Sequence, residues 1–148
     1  MHVELSGLEA WPARQAELRA RRSALGDFPE LHRRFGEAVL AWVERNFEAE
    51  GRLLEDFPSG WPRLAPATLA SRRRRGRGRK PLQDTGRLRR GLRLSWDATR
   101  ARIVNTVPYA AIHQVGAGVP RRPFLPGEPE LRRLIDPVLE RFVEESAA

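Results

Sequence analysis

Apolar residues Phe28, Leu31, Phe35, Val39, Trp42, Val43 and Phe47 recur at spacings of three and four. Those positions fall on one stripe of an α-helix. The spacing therefore predicts a helix of about six turns, ending near Gly51. Asp27-Phe28-Pro29-Glu30 reads as its start. Asp27 can accept from the open amides, Glu30 stands in capping-box position, and Pro29 lies in the first turn, where its missing N–H does no harm.

The chain has 148 residues, one domain's length, and residues 1–148 are expected to form a single α+β domain. Val3 and Leu5, followed by Leu8 and Trp11, suggest a short strand before Pro12. Residues 13–22 are strong helix formers. Pro58-Ser59-Gly60, Trp61-Pro62 and Ala65-Pro66 are turn chemistry. Ala67-Thr68-Leu69-Ala70 can start a short helix, but it runs into six arginines and Lys80 within residues 72–80. A block of like charge with glycines is expected to be a mobile loop at about 71–81. Removing residues 72–80 should then leave the fold intact. Order should return over residues 81–86 and at Leu88.

Leu92, Leu94 and Trp96 alternate with Arg93 and Ser95, and a second run covers Ala101, Ile103 and residues 104–107. The four-residue connection Asp97-Ala98-Thr99-Arg100 makes these a hairpin. Residues 109–115 read as one or two helical turns closed by Gly116 and Gly118. Phe124 and Leu125, between Pro123 and Pro126, read as a last short strand. Glu128-Pro129-Glu130 starts a terminal helix, which Pro137 should kink or confine to a turn in its first half. The expected architecture is a small twisted antiparallel sheet, hairpin plus short strands, packed by the long helix and the C-terminal helix.

Cysteine is absent, which excludes disulfide frameworks, cysteine zinc sites and thiol catalysis. No apolar stretch approaches the ~20 residues of a membrane helix, and Met1-His2-Val3-Glu4 lacks a signal peptide's basic-then-apolar order. No membrane partner and a cytoplasmic setting are expected. The histidines are His2, His32 and His113. His32 lies beside Arg33 and Arg34, where a solvated face is expected. His113 alone sits among turn-forming and apolar residues, without a recognisable nucleophile or carboxylate partner, as a structural histidine does. Gly76 and Gly78 lack both the Lys-Ser/Thr and the preceding strand of a phosphate loop. The residues point away from catalysis, and neither cofactor nor metal is expected.

Formal charge is +8, and Lys80 is the only lysine. Arginine's rigid fork suits carboxylates and phosphates, although a GC-rich coding bias also turns lysines into arginines. Arg72, Arg73, Arg74, Arg75, Arg77, Arg79 and Lys80 form the densest positive block, able to meet a polyanion or an acidic partner. On nucleic acid, affinity would fall with a log–log salt slope of about −0.9 per phosphate contact. No aromatic residue interrupts the block to stack bases. A basic, non-enzymatic DNA-binding protein is therefore the alternative reading.

Four segments carry a resemblance. They are Trp61-Pro62-Arg63-Leu64 with Thr68; Leu82-Gln83-Asp84-Thr85-Gly86-Arg87-Leu88; Asn105-Thr106-Val107-Pro108-Tyr109-Ala110-Ala111-Ile112-His113-Gln114-Val115-Gly116; and Val119-Pro120-Arg121-Arg122-Pro123-Phe124-Leu125. Over residues 47–125 the chain resembles the phage virion morphogenesis family, the tail-completion proteins of contractile-tailed phages such as Mu. More distantly, it is similar to other head–tail joining and tail-terminator proteins. The resemblance implies a small α+β subunit acting as a homo-oligomeric ring, expected to be a hexamer, at the head-proximal end of the tail or at the neck. It implies no catalysis. Implied partners are the tail tube protein and head connector or neck proteins, with nonspecific contact to packaged DNA, and the implied location is the virion after assembly in the host cytoplasm.

The residues it singles out serve either the fold or an interface: Trp61, Thr68, Thr85, Gly86, Leu88, Tyr109, His113, Gly116, Arg121, Pro123 and Phe124. Gly86 and Gly116 permit tight turns. Tyr109 and His113, four apart, share one helical face. Pro120 and Pro123 stiffen an arm that Phe124 anchors. Ring contacts are expected at the hairpin, residues 92–107, and at the arm, residues 121–125.

Overall fold

The computed structural model describes residues 2–5 and 28–148. Its elements are β1 (His2–Leu5), α1 (Pro29–Glu48), α2 (Pro66–Arg74), α3 (Arg87–Arg90), β2 (Leu92–Trp96), β3 (Ala101–Asn105), α4 (Ala110–Val115) and α5 (Glu128–Ala147). The expected helix over residues 13–22 and the capping role of Asp27 lie outside the described residues.

The predicted stripe of α1 is buried along its whole length. Its first half, with Phe28, Leu31 and Phe35, meets Ile135 and Leu139 of α5. Its second half, with Val39, Trp42, Val43 and Phe47, enters the main core beneath the sheet. Burying each such side chain contributes about 1.5–3 kcal/mol. Gly36 lies directly under the Leu94 side chain of β2, whose methyl groups a Cβ there would displace. The helix begins after Phe28, and Glu30 does not close a capping box. Its carboxylate instead takes Arg33 at 2.6 Å and Arg34 at 2.9 Å. His32 is a correction to the sequence reading. It is buried, not solvated, and its Nδ1 donates to the Phe28 carbonyl at 2.8 Å.

The sheet is antiparallel, with order β1-β3-β2. Ile103 at its centre pairs with Val3 on one side and Leu94 on the other. Asp97 closes the hairpin by accepting from Thr99 N at 2.7 Å, Thr99 Oγ1 at 2.8 Å and Arg100 N at 3.0 Å, an Asx turn. Buried Asn105 ties β3 to α3, donating to Leu88 O and accepting from Val107 N.

Three more expectations change. The basic block is not wholly loop, because α2 runs through Arg74. Arginine is a good helix former, and cations in a last turn suit the helix's negative end. Arg72 is buried and donates to the carbonyls of Gly78 and Lys80, pinning the returning chain. Removing residues 72–80 would therefore remove buried hydrogen bonds as well as charge. Phe124 and Leu125 join no strand ladder, since their N–H groups bond the Gln114 side chain at 3.0 and 3.3 Å. Pro137 does not confine α5, which continues through it. At the start of α5, Glu130 accepts from Gly127 N and reaches back to Glu55 N. No helix of the described residues is long and apolar enough to cross a membrane.

Candidate interaction site

The residues of the quoted motifs converge on one clamp. The Trp61 indole stands edge-on to Phe47, 5.6 Å between ring centroids, and Phe47 in turn meets Phe124 at 5.8 Å. Trp61 Nε1 donates to Pro123 O at 2.7 Å. The Arg122 guanidinium donates to Pro62 O at 2.8 Å and Arg63 O at 3.0 Å. Arg122 N donates to His113 O at 2.9 Å, while Gln114 holds the next two amides of the arm. Gly116 has φ +78°, and a Cβ there would press on Arg121 at 2.8 Å, so the turn after α4 needs glycine. Pro123 and Phe124 thus belong to the chain's own core.

Beside the clamp lies a cleft of about 420 Å³, bordered by Leu64, Arg72, Leu82, Asp84, Thr85, Gly86, Arg87, Leu88, Tyr109, His113 and Arg122. Gly86, at φ +72°, turns the chain into α3 and brings Thr85 and Arg87 to one rim. Tyr109 and His113 face each other edge-on at 6.0 Å, as their spacing predicts. Thr85, Gly86, Leu88, Tyr109 and His113 are therefore brought together. Trp61, Pro123 and Phe124 lie behind them in the core. Thr68 and Arg121 fall outside the cleft: Thr68 is exposed on α2, and Arg121 lies over the Phe57 ring at 5.6 Å.

The cleft is electropositive and partly desolvated. Arg72, Arg87 and Arg122 border it against one carboxylate, Asp84, which already takes Arg77 at 2.8 Å and lies 3.5 Å from Arg72. Arg72 and Arg122 are only 7% and 6% exposed. Burial, and then the charge of Arg72, lowers the pKa of Arg122 from the ordinary guanidinium value. Burial, and then the charge of Arg122, lowers that of His113. Both groups thus sit where a negative charge would be welcome. The recorded donors of Arg122 and Arg72 go to backbone carbonyls, so the cleft's positive charge is held in place by the fold itself. Among the described residues no group of three or more His, Cys, Asp or Glu side chains is placed to hold a metal ion.

Sequence reasoning singled out Arg121 and passed over Arg122, the buried arginine that builds both clamp and cleft. Arg122 did stand in the quoted segment Val119-Pro120-Arg121-Arg122-Pro123-Phe124-Leu125. Gln114 was likewise part of the quoted motif without being given its role. The burial of Arg72 had no such signal.

No curated protein and no solved structure matches the chain. Residues 8–144, nearly the whole sequence, match the phage virion morphogenesis family, and the chain belongs to that family.

Proposed function

We propose that this protein completes the phage tail. It assembles as a homo-oligomeric ring at the head-proximal end of the tail or at the neck, stops growth of the tail tube and presents a surface to the filled head. The observation that carries this reading is how the family's motif residues are spent. Their polar groups hold backbone to backbone across the Trp61, α4 and 121–125 segments, as a subunit that must keep its shape under load requires. In this reading the protein has no catalytic role. Its partners are copies of itself, the tail tube protein and a head connector or neck protein. A closed ring calls for a heterologous contact, with one face of each subunit docking on a different face of the next.

Native mass determination in high salt after nuclease treatment tests this, followed by electron microscopy with purified tail tubes. A discrete closed multimer, expected to hold six subunits, seated on tube ends supports the reading. A chain that stays monomeric and ignores tube ends overturns it.

One observation favours the DNA-binding alternative. Arg73, Arg74, Arg79 and Lys80 are exposed, and no carboxylate among the described residues pairs with them. A monomer shifting fully onto short duplex DNA, with a steep salt slope, would decide for that reading.

A further inference from the structure

Successive residues of the 121–125 arm face two different clefts. Arg122 borders the electropositive cleft, whereas Arg121, Pro123 and Leu125 border a second one of about 410 Å³. The neighbouring pair on α4 divides the same way, with His113 on the first cleft and Gln114 on the second. The second cleft is bordered by four carboxylates and by Arg121. Glu130 is buried and accepts from Gly127 N and Glu55 N. Glu55 and Glu128 are exposed and pair with Arg133 and Arg132, and exposed Asp56 makes no ion pair among the described residues. One wall of the fold thus separates a basic cleft from an acidic one.

The one carboxylate of the basic cleft, Asp84, is already engaged by Arg77 and lies 3.5 Å from Arg72. Arg122, almost fully buried, donates to backbone carbonyls, and among the described residues no carboxylate forms an ion pair with it. A buried cation left without a counter-charge is costly, and a carboxylate supplied from outside relieves that cost. Beside the cleft α4 exposes Ile112 and Val115, which are 41% and 66% accessible, in line with Tyr109 on its rim. A stripe three residues apart on a helix, flanked by cations, is the anatomy of an apolar contact with a charged border.

We propose that the basic cleft of one copy receives the acidic cleft of a second copy, with the loop at Glu55 and Asp56 and the start of α5 at Glu128 seated against Arg87, Arg122 and the α4 stripe. This rests on the ring reading above and names its contact. A head-to-tail interface needs two dissimilar, complementary faces on one chain, and charge complementarity selects which faces meet and in what register.

The test uses the full chain and residues whose side chains the fold does not use. Arg87 and Asp56 are both exposed, and among the described residues neither side chain makes a hydrogen bond or ion pair. Arg87→Glu and Asp56→Arg each place like charges across the contact. Either variant alone should retain its melting temperature while the concentration for half-assembly rises about tenfold or more. An equimolar mixture of the two should recover assembly, with the subunits alternating around an even-numbered ring, because the introduced glutamate of one variant then faces the introduced arginine of the other. The charge-swapped double variant should recover it as well. If the wild type assembles and both single variants assemble equally well, the contact is wrong and the ring reading stands. If the wild type is monomeric with and without tube ends, both fail. Disassembly of both single variants without recovery in the mixture also overturns the pairing of these two faces.

Discussion

The indole N–H of Trp61 donates to the carbonyl oxygen of Pro123 at 2.7 Å, joining positions 62 apart in the chain. The bond is buried, so its loss strands a carbonyl without water. Trp61→Phe keeps an aromatic ring against Phe47 but removes the donor together with part of the buried indole, so a cavity adds to the lost bond. The expected cost is about 1–3 kcal/mol for the unsatisfied buried acceptor, plus that of the cavity. It is read as a lower urea midpoint at unchanged slope, and an unchanged midpoint would show that this bond does not hold the arm.

Two glycines separate backbone strain from collision. Gly51 has φ +88°, and a Cβ there would strike the Trp61 ring; Gly118 has φ +71° with nothing near it. Both alanine variants incur the left-handed cost of roughly 1–2 kcal/mol. Gly51→Ala should lose roughly 1–3 kcal/mol more, because it overpacks the indole. Thermal melts of the two variants side by side check the difference, and equal losses would mean that Trp61 moves aside freely.

What the sequence made legible follows from periodicity and local chemistry. The α1 stripe and the hairpin signal themselves by periods of 3.6 and 2, and α4 with its closing Gly116 by its turn residues. His32 was misplaced because Arg33 and Arg34 drew attention to solvent. Yet it stands four residues after Phe28 and three before Phe35, inside the apolar stripe. Arg72 could not be placed that way, since its burial depends on carbonyls at residues 78 and 80 that only the folded turn delivers. Phe124 and Leu125 read as a strand because apolar residues between prolines fit an edge. Their amides in fact bond a side chain, Gln114, which no local pattern specifies. The cleft was legible as a set of motif residues and illegible as a charge, because its key cations come from Arg72 and Arg122.

Acid should destabilise the fold through two histidines. Burial is the leading cause lowering the pKa of His113 and of His32 from 6.5. The folded state therefore binds fewer protons than the unfolded state below that value. Their contribution is complete above pH 6.5 and is lost as pH falls toward the lowered folded values, with a slope of at most about 1.4 kcal/mol per pH unit for each. Glu30 acts lower down. Hydrogen bonds from Arg33 and then Arg34 hold its pKa at about 2, so its contribution fades only below about pH 4.5. Urea midpoints from pH 7.5 to 5 should fall, and His113→Gln should flatten part of that fall. A flat wild-type profile would mean that neither ring is desolvated in solution.

The basic segment divides into an inner arginine and an outer set, and the two should answer different experiments. Arg72 donates to Gly78 O at 3.3 Å and Lys80 O at 2.8 Å from a buried position. Arg72→Met keeps the stem and removes the donors, leaving two carbonyls and part of Asp84 uncompensated, for a loss of about 2–3 kcal/mol. Arg73, Arg74, Arg79 and Lys80 are exposed. Changing all four to glutamine should leave stability within about 0.5 kcal/mol. The same change should weaken any polyanion binding and reduce its log–log salt slope by about 0.9 for each phosphate contact removed. Thermal melts and salt-dependent binding to short duplex DNA measure the two effects on the same pair of variants. Were the outer variant to melt far below the wild type, those side chains would be part of the packed fold, and the division between an anchoring Arg72 and a solvated basic rim would fail.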